Sequence, residues 1–162
     1  MLATIRKRVE SGQRINKEQG LYILNEANLL DLAQLAQETR YRHNPEPVVT
    51  FVVDTNLNYT NVCDAYCTFC AFYRTETDSD AYSHSVEDVM EMLGKATEQG
   101  VTTVLMQGGL NSNLTMDYYT KLVRETRRLY PNLHPHFFSA PEIKKMSQVS
   151  GLSLEEVLSE LK

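Results

Sequence analysis

Residues Val48–Asp54 read Val-Val-Thr-Phe-Val-Val-Asp, an unbroken apolar run rich in β-branched side chains. It lacks the polar alternation of a strand with one wet face, so it suits a strand covered on both sides, as in a parallel sheet. Two more strand-like stretches follow, Thr102–Met106 and about His134–Ser139. Helix-periodic segments separate them. Ser85 and Asp88 form a capping-box pair, Val86, Val89, Met90 and Leu93 share one face, and Gly100 is placed to stop the helix. From about Met116 to Tyr130, the residues Tyr119, Leu122, Val123 and Thr126 share a second helical face, ended by Pro131. Ser139-Ala-Pro-Glu142 reads as the next helix start, and Ser153-x-x-Glu156 opens the last, which runs to Lys162. A strand–helix order repeated three times implies parallel strands joined by right-handed crossovers.

Residues 1–44 read as helical. Asn16 can cap a segment starting at Lys17, and Leu21, Leu24, Ala27 and then Leu32, Leu35, Ala36 recur at helical spacing. Pro45 and Pro47 end this region, which sets the expected boundary between a helical segment, 1–44, and an α/β part, 45–162. A closed eight-unit barrel needs about 250 residues. The expected fold class is therefore α/β, a partial TIM-type barrel of about the first three βα units, preceded by N-terminal helices. The chain stops inside a segment with good helix-start signals, which favours a part of a barrel over a small open sheet.

The net charge is −5 and no basic block stands out. Nucleic acid is not an expected partner, because phosphate binding needs clustered Lys and Arg. No apolar run approaches the roughly 18 residues needed to cross a bilayer, and the N-terminus has no apolar core of a secretory signal. No membrane partner is expected, and the expected location is cytoplasmic.

All three cysteines lie in one loop, Asn58-Tyr-Thr-Asn-Val-Cys63-Asp-Ala-Tyr-Cys67-Thr-Phe-Cys70-Ala-Phe-Tyr-Arg74. A disulfide framework would spread an even number along the chain, whereas clustered thiols suit a metal or cluster in a reducing compartment. The spacing C-x3-C-x2-C lets three thiolates each hold one iron of a [4Fe–4S] cube and leaves the fourth iron open. Three alternatives compete. Zinc could use Cys67-x-x-Cys70 with His84, a redox Cys-x-x-Cys would leave Cys63 idle, and all three thiols could be inert.

The C-x3-C-x2-C spacing with an aromatic, Phe69, before the last cysteine resembles the radical S-adenosylmethionine (SAM) superfamily. The longer string is similar to the branch holding the futalosine-pathway menaquinone enzymes and the deazaflavin (FO) synthases. Tyr73-Arg74, the segment Leu105–Asn111 (LMQGGLN) and His134–Ile143 (HPHFFSAPEI) resemble the cyclic dehypoxanthine futalosine synthases most, over essentially the whole chain.

This resemblance implies a [4Fe–4S] cluster on Cys63, Cys67 and Cys70, whose open iron is chelated by the amine and carboxylate of SAM. It implies that Phe69 packs near the adenine, that the backbone of Gln107-Gly108-Gly109 meets the methionine amine, and that Ser139 and Glu142 contact the ribose or methionine end. Leu110 stands where an acidic residue often follows the glycines. Each residue also has a plainer reading: Phe69 as core filler, the glycines as a turn, Ser139 and Glu142 as a helix cap. His134 and His136 share a strand face and could meet substrate or fill core, and Arg74 could pair with a ligand carboxylate or lie on a solvated loop.

The implied reaction begins with cleavage of SAM to a 5′-deoxyadenosyl radical. That radical takes hydrogen from the ribose C4′ of dehypoxanthine futalosine, and the ring then closes to a menaquinone precursor. The implied partners are a nucleoside-derived small molecule and an electron donor such as flavodoxin or ferredoxin. The rivals are aminodeoxyfutalosine synthase, the tyrosine-using half of FO synthase, a redox or metal module without radical chemistry, and an inactive fragment.

Overall fold

A computed structural model describes residues 1–162. The chain forms two compact units, Met1–Thr50 and Phe51–Lys162.

The first unit holds α1 (Leu2–Glu10), α2 (Lys17–Asn25) and α3 (Leu29–His43). Asn16 caps α2 as its sequence suggests: its side chain accepts from the Gln19 N–H at 2.9 Å, and Gln19 reaches back to the Asn16 N–H. Ile5, Leu35 and Gln19 are buried. Arg6 pairs with Asp31 at 3.3 Å, joining α1 to α3.

The second unit runs β1 (Asp54–Asn58), α4 (Val86–Glu98), β2 (Thr103–Gln107), α5 (Met116–Leu129), β3 (His134–Phe137), α6 (Ala140–Ser150) and α7 (Leu154–Glu160). The strands form one parallel sheet in the order β1-β2-β3, with Leu57 opposite Met106 and Met106 opposite Phe137. Pro135 is accommodated because β3 is an edge strand. Capping boxes start α4 at Ser85–Asp88, α6 at Ser139–Glu142 and α7 at Ser153–Glu156. Gly100 ends the α4 region with a φ of +82°, the left-handed conformation that glycine takes without a Cβ penalty. Leu57, Tyr59, Val89, Leu93, Val104, Met106, Leu122, Met146 and Val157 form the core between sheet and helices.

The first strand departs from the sequence expectation. The structure puts β1 at Asp54–Asn58, and Val48, Val49, Phe51, Val52 and Val53 are exposed, Phe51 to 87%. The reason is register. β2 begins at Thr103, opposite Asp54, so the apolar run lies beyond its end. From the side of β2 the run is reached at the Val53 carbonyl, by the Thr102 N–H at 2.8 Å and the Thr103 N–H at 3.3 Å. No helix of the chain is long and apolar enough to cross a membrane.

Candidate cluster and cofactor site

The cysteine loop leaves β1 at its C-terminal end, the edge where parallel α/β folds place their chemistry. Its neck is fixed by backbone hydrogen bonds: the Cys63 N–H donates to the Arg74 carbonyl at 3.0 Å, and the Arg74 N–H to the Asn61 carbonyl at 2.8 Å. Beneath the neck, Thr60 Oγ1 lies 2.8 Å from the Tyr82 carbonyl and 2.7 Å from Ser83 Oγ, and the buried Asn111 donates to Ser83 Oγ at 3.0 Å. This polar lattice ties the loop to the segment that follows β2.

On the other side, the Asp64 N–H donates to the Leu110 carbonyl at 3.2 Å. The Asp64 carboxylate takes an ion pair from Lys145 of α6 and a hydrogen bond from Ser112 Oγ at 3.0 Å. The Lys145 ammonium, through its hydrogen bond, holds the Asp64 carboxyl below its usual value, although Asp64 is about half exposed.

All three cysteines are free thiols. Cys63 and Cys70 line one cavity of about 200 Å³ together with Phe72, Tyr73, Gln107, Gly108 and Gly109, whereas Cys67 is exposed. Tyr66, next to Cys67, has a φ of +48°, and its ring meets Tyr73 edge-on at 5.8 Å. As the side chains stand, no three His, Cys, Asp or Glu groups converge closely enough to hold a metal ion. The chemistry of the donor set still fits an iron–sulfur cluster: three soft thiols on one loop, with its neck pinned and two of them facing a shared hollow.

The two glycines are required by the protein's own packing. A Cβ at Gly109 would lie 2.1 Å from the Val62 carbonyl oxygen and 2.9 Å from Cys63 Cβ. One at Gly108 would lie 2.4 Å from Tyr59 Cζ. Both N–H groups are also used internally, Gly108 to Glu142 at 2.9 Å and Gly109 to the Thr60 carbonyl at 2.9 Å. What each glycine has left for a ligand is its carbonyl oxygen.

Of the other residues named from sequence, Gln107 lines the cavity. Phe69 is 97% exposed on the loop. Ser139 and Glu142 use each other: Glu142 Oε2 accepts from the Ser139 N–H at 2.6 Å and from Ser139 Oγ at 2.5 Å. Arg74 pairs within the chain, with Asp80 at 2.7 Å. His134 and His136 occupy the exposed positions of β3. Four residues that shape the site were not singled out from sequence: Tyr59, Asp64, Asn111 and Lys145. Continuing the strand alternation one step past Leu57 would have marked Tyr59 as buried. Nothing local marks Lys145, whose partner is 81 residues away.

A larger hollow of about 710 Å³ lies in the first unit among Val9, Ile15, Ile23, Leu32 and Leu35, but it holds none of these thiols or glycines.

A sequence model described as the Radical SAM superfamily matches residues 57–162. The cyclic dehypoxanthine futalosine synthase of Halalkalibacterium halodurans is 39% identical over 157 residues, covering 97% of this chain and 42% of that protein. The aminodeoxyfutalosine synthase of Streptomyces coelicolor is 34% identical over 157 residues, 97% of this chain and 40% of its own. A 5-amino-6-(D-ribitylamino)uracil–L-tyrosine 4-hydroxyphenyl transferase from Methanopyrus kandleri is 43% identical over 114 residues, 70% of this chain and 31% of its own. The chain thus spans less than half the length of these relatives. Among solved structures, the FeFe-hydrogenase maturase HydG from Carboxydothermus hydrogenoformans superposes with a TM-score of 0.56 at 17% identity, covering 94% of this chain and 36% of that one, a likeness of fold.

Proposed function

The chain belongs to the radical SAM superfamily, and on that premise we propose that it is the cluster- and cofactor-binding part of an enzyme that cyclises dehypoxanthine futalosine in menaquinone biosynthesis. The observation that carries this is the contact between the glycine edge and the cysteine loop: Gly109 sits so close to Val62 and Cys63 that no side chain fits between them. A ligand in the adjoining cavity therefore meets Cys63, Cys70 and the glycine edge together.

Cys63, Cys67 and Cys70 would hold three irons of a [4Fe–4S] cluster, each through one thiolate. When bound, the cluster and SAM supply a reducing electron and a 5′-deoxyadenosyl radical. The chain's own residues bind and orient. With their N–H groups turned inward, Gly108 and Gly109 offer carbonyl acceptors, which suit the methionine ammonium. Gln107 lies at the same edge, and Phe72 and Tyr73 wall the cavity and limit water. Phe69, exposed on the loop, is free to lie against the adenine. The three βα units are the opening part of a (β/α) barrel, and the electron donor is a flavodoxin- or ferredoxin-like protein.

The 39% identity over 97% of the chain, against 34% over the same share for the aminodeoxyfutalosine synthase, favours the cyclase. The shorter but higher likeness to the tyrosine transferase favours a second reading, a reaction on tyrosine. The test is anaerobic reconstitution, iron and sulfide counting, and measurement of 5′-deoxyadenosine with dehypoxanthine futalosine or tyrosine added. Release stimulated by the futalosine substrate supports the cyclase; stimulation by tyrosine supports the transferase. Absence of cluster iron overturns both.

A further inference from the structure

Glu142 is a carboxylate with 2% of its surface exposed, on the first turn of α6, and it accepts four hydrogen bonds. Oε2 takes the two from Ser139 that close the capping box. A helix cap needs no more than this. Oε1 does something the cap does not require: it accepts from the Tyr59 hydroxyl at 2.6 Å and from the Gly108 N–H at 2.9 Å. One side chain thus joins the ends of all three strands, Tyr59 after β1, Gly108 after β2 and Ser139 after β3.

The surroundings make this junction stiff. The Tyr59 ring is fully buried, lies against the Cα of Gly108, and meets Tyr119 and Phe138 edge-on at 5.9 and 6.1 Å. Phe138 has a φ of +64°, a left-handed conformation that is strained for a non-glycine residue, while its N–H is held by the Met106 carbonyl at 2.9 Å. The surrounding contacts hold this strained turn in place, and the turn delivers Ser139 and Glu142 to the strand ends.

We propose that Glu142 is a positioning residue: it holds the Gly108 N–H inward through Oε1, and so fixes the direction in which the glycine edge presents its carbonyl oxygens to the cofactor's ammonium. This deepens the functional reading above and rests on it. Glu142 itself has no acceptor capacity left pointing at a ligand, so it acts through Gly108 and Tyr59.

The test uses Glu142→Gln. A carboxamide has one acceptor oxygen and one donor NH2, so whichever way it turns, either the Gly108 or the Ser139 N–H faces another donor. Glu156→Gln is the control, since Glu156 belongs to the capping box of α7 and lies outside the site. Two readouts apply to the full chain. In the metal-free chain, amide hydrogen exchange at Gly108 should speed up in Glu142→Gln and stay unchanged in Glu156→Gln. In the reconstituted chain, SAM affinity, followed by the change it produces in the electron paramagnetic resonance of the reduced cluster, should fall roughly tenfold or more in Glu142→Gln, with iron content kept. Equal losses of thermal stability in the two variants with unchanged SAM affinity would reduce Glu142 to a helix cap and overturn the proposal. If Glu142→Gln does not fold, Glu142→Asp decides, because Ser85 and Asp88 show that an Asp can close the capping box while its shorter side chain gives up the reach to the Gly108 N–H: weaker SAM binding supports the proposal and unchanged binding overturns it. Failure of the unsubstituted, cluster-loaded chain to show any SAM-dependent spectral change would instead overturn the functional reading.

Discussion

The hydroxyl of Tyr59 donates to Oε1 of Glu142 at 2.6 Å, across a sequence separation of 83 residues. Burial and the neighbouring Glu142 push the Tyr59 phenol far above its ordinary value; burial also raises Tyr118, and raises Tyr119 to about 12. A group whose folded value is raised stabilises fully below its unfolded value, near pH 10, and loses that contribution as pH rises, because the unfolded chain ionises while the folded one does not. From neutral pH to about pH 10 these tyrosines should leave stability unchanged, and above that range stability should fall. Urea unfolding across that range, with tyrosinate absorbance recorded alongside, checks this. Ionisation of every tyrosine before unfolding would contradict it.

Each of the three thiols should matter for iron. Replacing Cys63, Cys67 or Cys70 singly by Ala should remove most of the cluster iron, since each thiolate holds one iron. Iron and sulfide counts after anaerobic reconstitution measure the loss. Full retention in Cys63→Ala would revive the Cys67-x-x-Cys70 alternatives.

The glycines should separate by what surrounds them. Gly109→Ala places a methyl against the Val62 carbonyl, backbone that cannot turn aside, and should cost about 1–3 kcal/mol along with most of the iron. Gly20→Ala, inside α2 with nothing within 4 Å of the new methyl, should stabilise the chain by about 1 kcal/mol. Denaturant midpoints of the two variants give the comparison.

Lys145→Met should loosen the cysteine loop without unfolding the protein. The pair it makes with Asp64 is half exposed on the acid side, so global stability should change by less than about 1 kcal/mol. The loop loses its tether to α6, and iron should leave faster in air. Equal rates of iron loss in Lys145→Met and the unsubstituted chain would show that the tether does not hold the loop.

The local signals in the sequence proved sufficient where the physics is local. Asn16, Ser85, Ser139 and Ser153 each start a helix, because a capping residue and its partner three positions on need only each other. The apolar run at Val48–Val53 misled, because strand formation depends on a partner, and β2 begins too late to provide one. The glycine pair was legible as a place of close approach, but what approaches is Tyr59 and the Val62 carbonyl, and neither contact has a sequence signature. Glu142 was legible as a cap. Its second oxygen, which reaches two other strand ends, became visible only once the sheet order was known.

The position of Val53 bears on how the chain behaves at high concentration. Its carbonyl already accepts from the Thr102 N–H just before β2, so the exposed residues just before it, Phe51 and Val52, are an apolar and uncharged overhang next to a paired position. A strand arriving there adds hydrogen bonds and buries Phe51 and Val52 without first closing a loop, which removes the usual entropic barrier to pairing. Such an overhang is a nucleus for sheet growth between molecules, and the chain's solubility should be set there.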